Sequence, residues 1–359
     1  MDPVIDVHHH MFAPHLMAAL AAAGVDRLGG ELVPASWSPE ASLEVMDRYG
    51  IDVAILSTPV PLQFAEPAQR AAIARAVNDF GADCAHRWPQ RFGFLATLPL
   101  PDVRASVAEL CRALDELGAD GVAFLTNHAG MYQGDSRLDP AYAELDRRGA
   151  VSFIHPTVPS GEAMPIGNAG SPLAALQPSL LEFPFDTTRA VANLVVSGAL
   201  ERFPRIRHIV THCGGCVPSV ANRLIDRRPL VATYTAMLRR GEAPSPERIE
   251  TLMAEAQDEA SRRLGTLHYD VALSSDRHVL AALTGMVPPS QLLLGTDFPM
   301  GQEIGVHVTL GGLERFEGFD AAQRHAIRAT NPTRLFPRFA GTGETPPPAL
   351  VATTPGPVS

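Results

Sequence analysis

The sequence predicts an α/β protein folded as a (β/α)8 barrel, the TIM-barrel class. Short apolar runs alternate with helical patterns eight times within 359 residues, which is the order expected of such a barrel. The runs are almost continuously apolar, as parallel strands covered on both faces are. No G-x-G-x-x-G turn follows the first run, and this disfavours the alternative, an open doubly wound sheet.

The apolar runs give the predicted strands, at residues 4–7, 53–57, 92–97, 121–126, 151–155, 208–212, 267–273 and 292–297. Apolar residues three and four apart give the predicted helices, at residues 39–49, 67–86, 103–117, 140–148, 187–203, 246–263 and 319–335. Ser38 followed by Pro39 is typical of a helix start. Gly50 and Gly149 stand where a left-handed residue ends a helix.

We expect residues 1–340 to form a single barrel domain. The segment 159–184 is rich in Pro, Gly and Ala and directly follows a strand, so we interpret it as a long loop on the catalytic face. The Pro-rich segment 341–359 predicts a disordered tail outside the barrel.

The composition excludes some partners. A formal charge of −10 argues against nucleic acid, and no apolar stretch is long enough to span a membrane. Without a recognisable signal peptide we expect a cytoplasmic protein. Cys213 and Cys216 have the spacing of a redox pair, but they lack the other features of such motifs, so we favour two small buried thiols.

Ionisable side chains fall at the ends of the predicted strands. They are His8 and His10 on the first strand, His155 on the fifth, His212 on the sixth and Asp297 on the eighth. The carboxyl ends of barrel strands lie on one face, so these side chains should converge. Imidazole and carboxylate together suit one divalent transition metal.

The histidine triplet fits this site better than it fits a remnant of a purification tag. Residues two apart on a strand point the same way, so His8 and His10 can bind one ion while His9 points to the barrel wall. His128, at the end of the fourth strand, is predicted to contact substrate. Asp270, within the seventh strand, is interpreted as a hydrogen-bonding residue of the core.

Four motifs, IDVHHH (5–10), IHP (154–156), THCGG (211–215) and GTDFP (295–299), together resemble the amidohydrolase superfamily. The resemblance is to its amidohydrolase 2 branch, the aminocarboxymuconate-semialdehyde decarboxylase group, and extends to about Phe336. The segments around WSPE (37–40) and RLDPAYAELDRRGAVSFIHPT (137–157) look closest to 6-methylsalicylate decarboxylase-like members.

The resemblance implies a metal-dependent hydrolase type of barrel with specific roles for the strand-end residues. His8, His10, His155 and Asp297 would hold one divalent metal, with zinc favoured and manganese the alternative. His212 would be a catalytic acid/base, and Asp297 is a second candidate for moving the proton. The group commonly forms homodimers, and Arg223 matches an arginine that in some members reaches the neighbour's active site; the alternative is an ordinary surface arginine.

The resemblance implies non-oxidative decarboxylation of a small aromatic or conjugated carboxylic acid, such as a hydroxybenzoate. One departure puts the aminocarboxymuconate substrate in doubt, because the segment 42–45 (SLEV) lacks that group's substrate-binding arginine. Two alternatives remain open. The same site could serve a hydrolase of amides or lactones or a hydratase, or the barrel could be a non-catalytic binding protein.

Overall fold

The computed structural model describes residues 2–28, 30–34, 36–159, 177–224, 227–242 and 245–341. Eight parallel strands pair in chain order, which confirms the predicted (β/α)8 barrel. The strands are β1 (Ile5–His10), β2 (Val53–Ser57), β3 (Phe92–Thr97), β4 (Gly121–Leu125), β5 (Val151–His155), β6 (Arg207–Val210), β7 (His268–Asp270) and β8 (Leu292–Leu293). Two short antiparallel ladders, Arg27–Leu28 with Glu31–Leu32 and Asn127–His128 with Met131–Tyr132, lie outside the barrel sheet.

The barrel closes between β1 and the chain that follows β8. Val7 N donates to Leu294 O at 2.9 Å, and His10 N donates to Phe298 O at 2.7 Å. Between these bonds, Asp297 N donates to His8 O at 2.8 Å. The closing seam therefore runs through the segment that carries the strand-end histidines and Asp297.

A β-bulge in β1 changes which side chains face the barrel axis. Between Asp6 and His9 the strand advances three residues, while its partner β2 advances two, from Ala54 to Leu56. A bulge of this kind re-aims the side chains that follow it. Val7 consequently packs in the barrel core, and the next residue, His8, also faces inward, against Phe153 at 5.0 Å between ring centroids.

The helices surround the barrel. They are α1 (Pro14–Ala22), α2 (Pro39–Tyr49), α3 (Pro67–Arg87), α4 (Val103–Asp115), α5 (Asp139–Arg148), α6 (Pro178–Ser197), α7 (Ala199–Arg202), α8 (Val217–Val220), α9 (Arg227–Arg239), α10 (Pro246–Leu264), α11 (Arg277–Thr284), α12 (Gln302–Arg315), α13 (Ala321–His325) and α14 (Asn331–Leu335). The predicted end signals hold. Ser38 Oγ accepts from Ala41 N at 3.1 Å, and Gly50 and Gly149 are left-handed, with φ of 65° and 59°.

The predicted loop at 159–184 is wrong in its last part. Residues 160–176 lie outside the described residues, but α6 begins at Pro178 and continues through Pro184. The two prolines favoured a loop in the sequence, yet Pro178 stands at the start of the helix, where no amide donor is needed. The sequence also did not predict α1, α8, α9, α11 or α12.

The predicted sixth, seventh and eighth strands are too long at their carboxyl ends; the seventh ends at Asp270 and not at residue 273. His212 and Asp297 have positive φ values, 52° and 61°, so the chain leaves the sheet before it reaches them. A left-handed conformation at a non-glycine residue cannot continue a strand. Both residues therefore stand on turns above the barrel.

The domain assignment stays a prediction. The elements from Ile5 to Phe339 surround one barrel, and residues 342–359 of the expected tail lie outside the described residues. Within the described part of the chain, no helix combines the length and apolar character that crossing a bilayer requires. All four cysteines are free; Cys213 is buried, and burial raises the pKa of its thiol well above the usual value, whereas Cys216 is half-buried, so the expectation of a buried thiol is wrong there.

Gly121 in β4 offers a test of how tightly the barrel is packed. A Cβ at this position would lie 2.6 Å from Val151 O and 2.8 Å from Val151 Cβ on the neighbouring strand. We expect Gly121→Ala to lower the free energy of unfolding by about 1–3 kcal/mol, because the strands must move apart. Urea denaturation followed by circular dichroism measures the change.

Gly285→Ala is the matched control. A Cβ there meets only ordinary contacts, the nearest being Ala281 O at 3.4 Å, and the residue has φ of −71°. Its expected change is within about 0.5 kcal/mol, as for most surface substitutions. Equal stability of both variants would contradict the close approach of β4 and β5.

Candidate metal centre and catalytic cavity

Three histidines and one aspartate meet at the carboxyl end of the barrel. One donor atom from each of His8, His10, His155 and Asp297 lies within 4.8 Å of the donor atoms of the others, and all four residues are buried. Strands β1 and β5 and the turn after β8 deliver these side chains. The structure thus brings together the four residues that were predicted as metal ligands.

Each of the three histidines uses Nδ1 for a hydrogen bond that fixes its ring. His8 Nδ1 lies 2.9 Å from Asp270 Oδ2, His10 Nδ1 lies 3.1 Å from Ser57 Oγ, and His155 Nδ1 lies 2.7 Å from Pro156 O. The Nε2 atoms are left for another partner. Those of His8 and His10 lie only 3.1 Å apart. Outer partners that orient imidazoles in this way are characteristic of metal sites.

Asp297 supplies an oxygen with no adequate partner in the protein. Its Oδ1 lies 2.8 Å from His10 Nε2 and 3.3 Å from His8 Nε2. Although it is buried, no donor reaches it with hydrogen-bond geometry. An unsatisfied carboxylate oxygen among imidazole nitrogens is costly without a cation, so this donor set fits a divalent metal such as zinc.

The pKa values describe the cluster before a cation binds. Burial alone would lower the pKa of His8, but the Asp270 and Asp297 carboxylates outweigh it and raise the pKa to about 10. Burial lowers the pKa of His10 to about 4 and that of His155 well below its usual value. Burial would raise the pKa of Asp297, yet the adjacent imidazoles hold it well below its usual range. The carboxylate is therefore ionised and available to a cation.

His212 lies beside the cluster without joining the same set of donors. It stands on the turn after β6, and its ring centroid is 4.9 Å from that of His8 and 5.9 Å from that of His155. Its Nδ1 lies 2.9 Å from Ala272 O and so donates to this carbonyl. Nε2 is then the nitrogen available for proton transfer.

Asp270 in β7 connects the metal-ligand cluster with His212. Besides the His8 ring, it accepts hydrogen bonds at Oδ1 from His212 N at 3.1 Å and from Ala272 N at 2.9 Å. The interpretation as a core hydrogen-bonding residue was incomplete, because one of its oxygens orients a candidate ligand. An acidic residue inside the apolar run LHYDVAL is the sequence signal that could have identified it.

A second buried network braces the other side of β1. His9 Nδ1 lies 2.9 Å from Asp6 Oδ2, and His9 Nε2 lies 2.9 Å from Ser42 Oγ. His9 thus points away from the cluster, as predicted. This arrangement has the connectivity of a Ser-His-Asp triad, but all three residues are buried, and Trp37 Nε1 also donates to Ser42 Oγ at 2.9 Å. It is consequently a structural brace rather than a nucleophile.

Asp6 connects this network with Thr296, the residue before Asp297. Its Oδ1 accepts from Thr296 N at 3.0 Å and its Oδ2 accepts from Thr296 Oγ1 at 2.5 Å. Asp6 Oδ1 also accepts from His8 N at 3.1 Å. One carboxylate therefore fixes the backbone beside both a candidate histidine ligand and the candidate aspartate ligand. The sequence analysis missed Asp6, Ser42 and Thr296.

The cluster forms the polar end of a cavity of about 1010 Å³, which His155, His212 and Asp297 line. Its walls are largely apolar and are formed by Leu20, Val25, Leu28, Pro59, Val60, Pro61, Phe64, Val158, Leu180, Phe183, Leu273, Met300, Ile304 and Val308. Besides Asp297, the charged side chains among the described lining residues are Arg27 and Glu31. The cavity therefore suits a largely apolar molecule with one polar end.

His128 is buried beside this cavity, and its neighbours Asn127 and Ala129 line the wall. Its Nε2 accepts from Leu125 N at 3.2 Å. Burial lowers the pKa of His128 to about 3, so the ring is neutral. Its role in substrate binding stays a prediction.

Arg223 ends a single helical turn, Ala221–Arg223, and its side chain is exposed. It is not among the described residues that line the cavity. Its proposed reach into a neighbouring subunit stays a prediction.

Comparisons with known proteins give relatives over nearly the whole chain. The 6-methylsalicylic acid decarboxylase of Penicillium expansum is 32% identical over 342 residues, 94% of this chain and 97% of that protein. A crystal structure described as an amidohydrolase II has a TM-score of 0.78 at 27% identity, covering 93% of this chain and 99% of the other.

A dihydroxybenzoic acid decarboxylase from Polaromonas, solved with manganese and 2-nitroresorcinol, has a TM-score of 0.71 at 21% identity, covering 94% and 97%. At that identity the likeness concerns the fold alone. The family model Amidohydro_2, described as amidohydrolase, matches residues 5–338. The chain therefore belongs to the amidohydrolase family that this model defines.

Proposed function

We propose that this protein is a metal-dependent, non-oxidative decarboxylase of a hydroxybenzoate-like acid. The observation that carries the proposal is the buried cluster of three histidines and one aspartate at the polar end of an apolar cavity. Relatives named as aromatic acid decarboxylases support the choice of reaction, since the 32% identity spans almost the whole length of both chains.

The cavity indicates how a carboxylate would bind. Arg27 is the one lysine or arginine among the described lining residues; it is exposed, lies in the short ladder outside the barrel and donates to Gly30 O at 2.8 Å. An arginine clamp for the substrate is thus lacking among these residues. We infer that the carboxylate and an ortho hydroxyl group bind at the cluster, while the ring lies against the apolar walls.

When bound by His8, His10, His155 and Asp297, a divalent metal supplies Lewis-acid charge that stabilises negative charge on the substrate oxygens. We propose that His212 delivers a proton to the ring carbon that bears the carboxylate. The bond between this carbon and the carboxylate then breaks, carbon dioxide leaves, and the bonding electrons restore the aromatic ring. Asp297 is the second candidate for the proton transfer.

The identity of the native metal and the oligomeric state are further parts of the proposal. Zinc is favoured by three imidazoles and one carboxylate, and manganese is the alternative because a related fold was solved with it. We also propose a homodimer in which Arg223 of one subunit reaches the substrate of the other. The exposed position of Arg223 is compatible with this role. The cytoplasmic location stays a prediction.

Removing a metal ligand tests the function directly. We expect purified protein to contain about one divalent ion per chain and to release carbon dioxide from salicylate, 6-methylsalicylate or 2,6-dihydroxybenzoate. His10→Ala should lose the ion and at least about a thousandfold in kcat/KM, because catalysis by a bound metal is worth several kcal/mol. Elemental analysis and a coupled carbon dioxide assay measure both.

His278→Ala is the control, since this histidine is exposed on α11. Metal-loaded protein that releases no carbon dioxide from any of these acids would contradict the proposal. Incorporation of solvent oxygen into a product would favour the hydrolase alternative instead.

His212 should affect the chemical step and leave metal binding intact. We expect His212→Ala to lower kcat by about 10²–10⁴, the usual contribution of a general acid or base, while the metal content stays unchanged. Single-turnover measurements on the metal-loaded variant separate the chemical step from substrate binding. Full activity of this variant would assign the proton to another group.

Asp270 should act through His8 and His212. In Asp270→Asn one carboxylate oxygen becomes an NH2 group. Either the His8 ring or the backbone N–H groups of His212 and Ala272 then lose their acceptor. We expect metal affinity to fall about 10–100-fold, as for other residues that orient metal-bound histidines. Competition with a fluorescent chelator measures the affinity. Asp258→Asn, at an exposed position on α10, is the control, and equal affinities in the two variants would refute the positioning role.

A further inference from the structure

We propose that the physiological substrate carries a large apolar substituent, an alkyl chain or a second ring, which lies along the cavity away from the metal-ligand cluster. This inference rests on the proposed decarboxylase function and adds the substrate class. It concerns the part of the cavity that a simple hydroxybenzoate would leave empty.

The size of the cavity is the first argument. Its volume of about 1010 Å³ lies at the upper end of the range of about 300–1,000 Å³ for sites that take drug-sized ligands. A benzoate ring with its carboxylate at the cluster occupies the polar end alone. The remaining volume needs either water against apolar walls or an apolar group of the ligand, and burial of an apolar group is favourable.

The second argument is the continuity of the apolar wall from the cluster to the surface. Met300 follows Asp297 closely in the chain, and Ile304 and Val308 continue the same wall along α12, one helical turn apart. Phe64 and Phe183 also line the cavity. A substituent attached to the bound ring can thus remain in contact with apolar side chains until it reaches the mouth.

The third argument is the exposure of large apolar side chains at that mouth. Leu180 and Ile304 are both 64% exposed, Val308 is 48% exposed and Leu273 is 43% exposed. All four line this cavity. Exposed apolar residues that gather at one place usually mark a binding surface, and here the surface is continuous with the proposed catalytic site.

The polar and charged residues that line the cavity restrict the chemistry of the substituent. The charged lining residues beyond the cluster, Arg27 and Glu31, belong to the short ladder outside the barrel, and Glu31 Oε1 accepts from Ser179 Oγ at 3.2 Å. The uncharged polar residues of the described lining are Gln63, Asn127, Thr157, Ser179 and Ser274, which are fewer than the apolar ones. A sugar, phosphate or peptide extension would therefore lose more hydration than these residues can replace. An uncharged hydrocarbon substituent fits the wall better.

The test uses 2-hydroxybenzoates with hydrogen, methyl, propyl, pentyl or heptyl at ring position 6. We expect kcat/KM for carbon dioxide release to rise with chain length, by at most about fourfold for each methylene that becomes buried. The dissociation constants of the matching 3-alkylphenols, which are the decarboxylated products, should fall in parallel. Isothermal titration calorimetry measures these constants without any turnover.

Matched variants locate the effect. Ile304→Ser should reduce the rise in kcat/KM and in product affinity with chain length. Ile249→Ser, a change at a 40% exposed isoleucine on α10 outside the described cavity lining, should leave the rise unchanged. Equal chain-length dependence in both variants would overturn the assignment of the substituent to the α12 wall.

The remaining outcomes separate this inference from the proposed function. Tighter binding of longer phenols without carbon dioxide release would support the apolar site and refute the decarboxylase. Carbon dioxide release from the short acids with no chain-length dependence in either measurement would overturn the inference and leave the decarboxylase standing. A flat series together with a dimer that Ile304→Ser dissociates would also overturn it, because a second copy of the chain would then cover the mouth.

Discussion

The backbone hydrogen bonds between β1 and the segment after β8 are the interaction on which the rest of the structure depends. They close the barrel, and the same residues carry three of the four candidate metal ligands, His8, His10 and Asp297. Assembly of the site is therefore part of barrel closure. A change that slides one strand against the other would separate the histidine pair from the aspartate, since side chains on a shifted strand exchange faces.

Two of the buried carboxylates around the metal-ligand cluster have a full set of partners, which makes their burial compatible with a folded barrel. Asp6 in β1 and Asp270 in β7 each accept at least three hydrogen bonds or imidazole contacts. Asp297 differs, because its Oδ1 lacks hydrogen-bond geometry and its backbone is left-handed. Strain and an unsatisfied oxygen at one residue are typical of a functional site that the surrounding structure holds in place.

The sequence predicted the barrel and the convergence of the strand-end side chains because both depend on simple periodicities; the division into four metal ligands and one acid/base came from the family resemblance. The strand ends placed His155 and His212 on one face, and the two-residue period placed His8 and His10 together. The bulge in β1 could not be predicted, since it depends on pairing with β2. Helix α12 was missed because its glycines disfavour a helix locally, whereas packing requires at least one of them; a Cβ on Gly312 would lie 2.5 Å from the backbone oxygen of Ser275. His128 was predicted at the right strand end, but the direction of its ring depends on the hydrogen bond to Leu125.

The proposed binding of the substrate carboxylate at the metal-ligand cluster explains why the cavity walls are largely apolar. If the carboxylate is recognised by the cluster itself, no additional cation is needed along the described wall, and the rest of the wall is free to recognise hydrocarbon. An arginine there would have to be desolvated or paired with an acid, and either would add polar groups beside the ring. The segment 42–45 is where the aminocarboxymuconate group carries its substrate-binding arginine. In this chain Ser42 is buried there and hydrogen-bonds with His9 and Trp37 instead of facing a ligand. Reaction chemistry and substrate selection are thereby assigned to different ends of one cavity, so that changes at α12 can alter selectivity without changing the ligands of the metal.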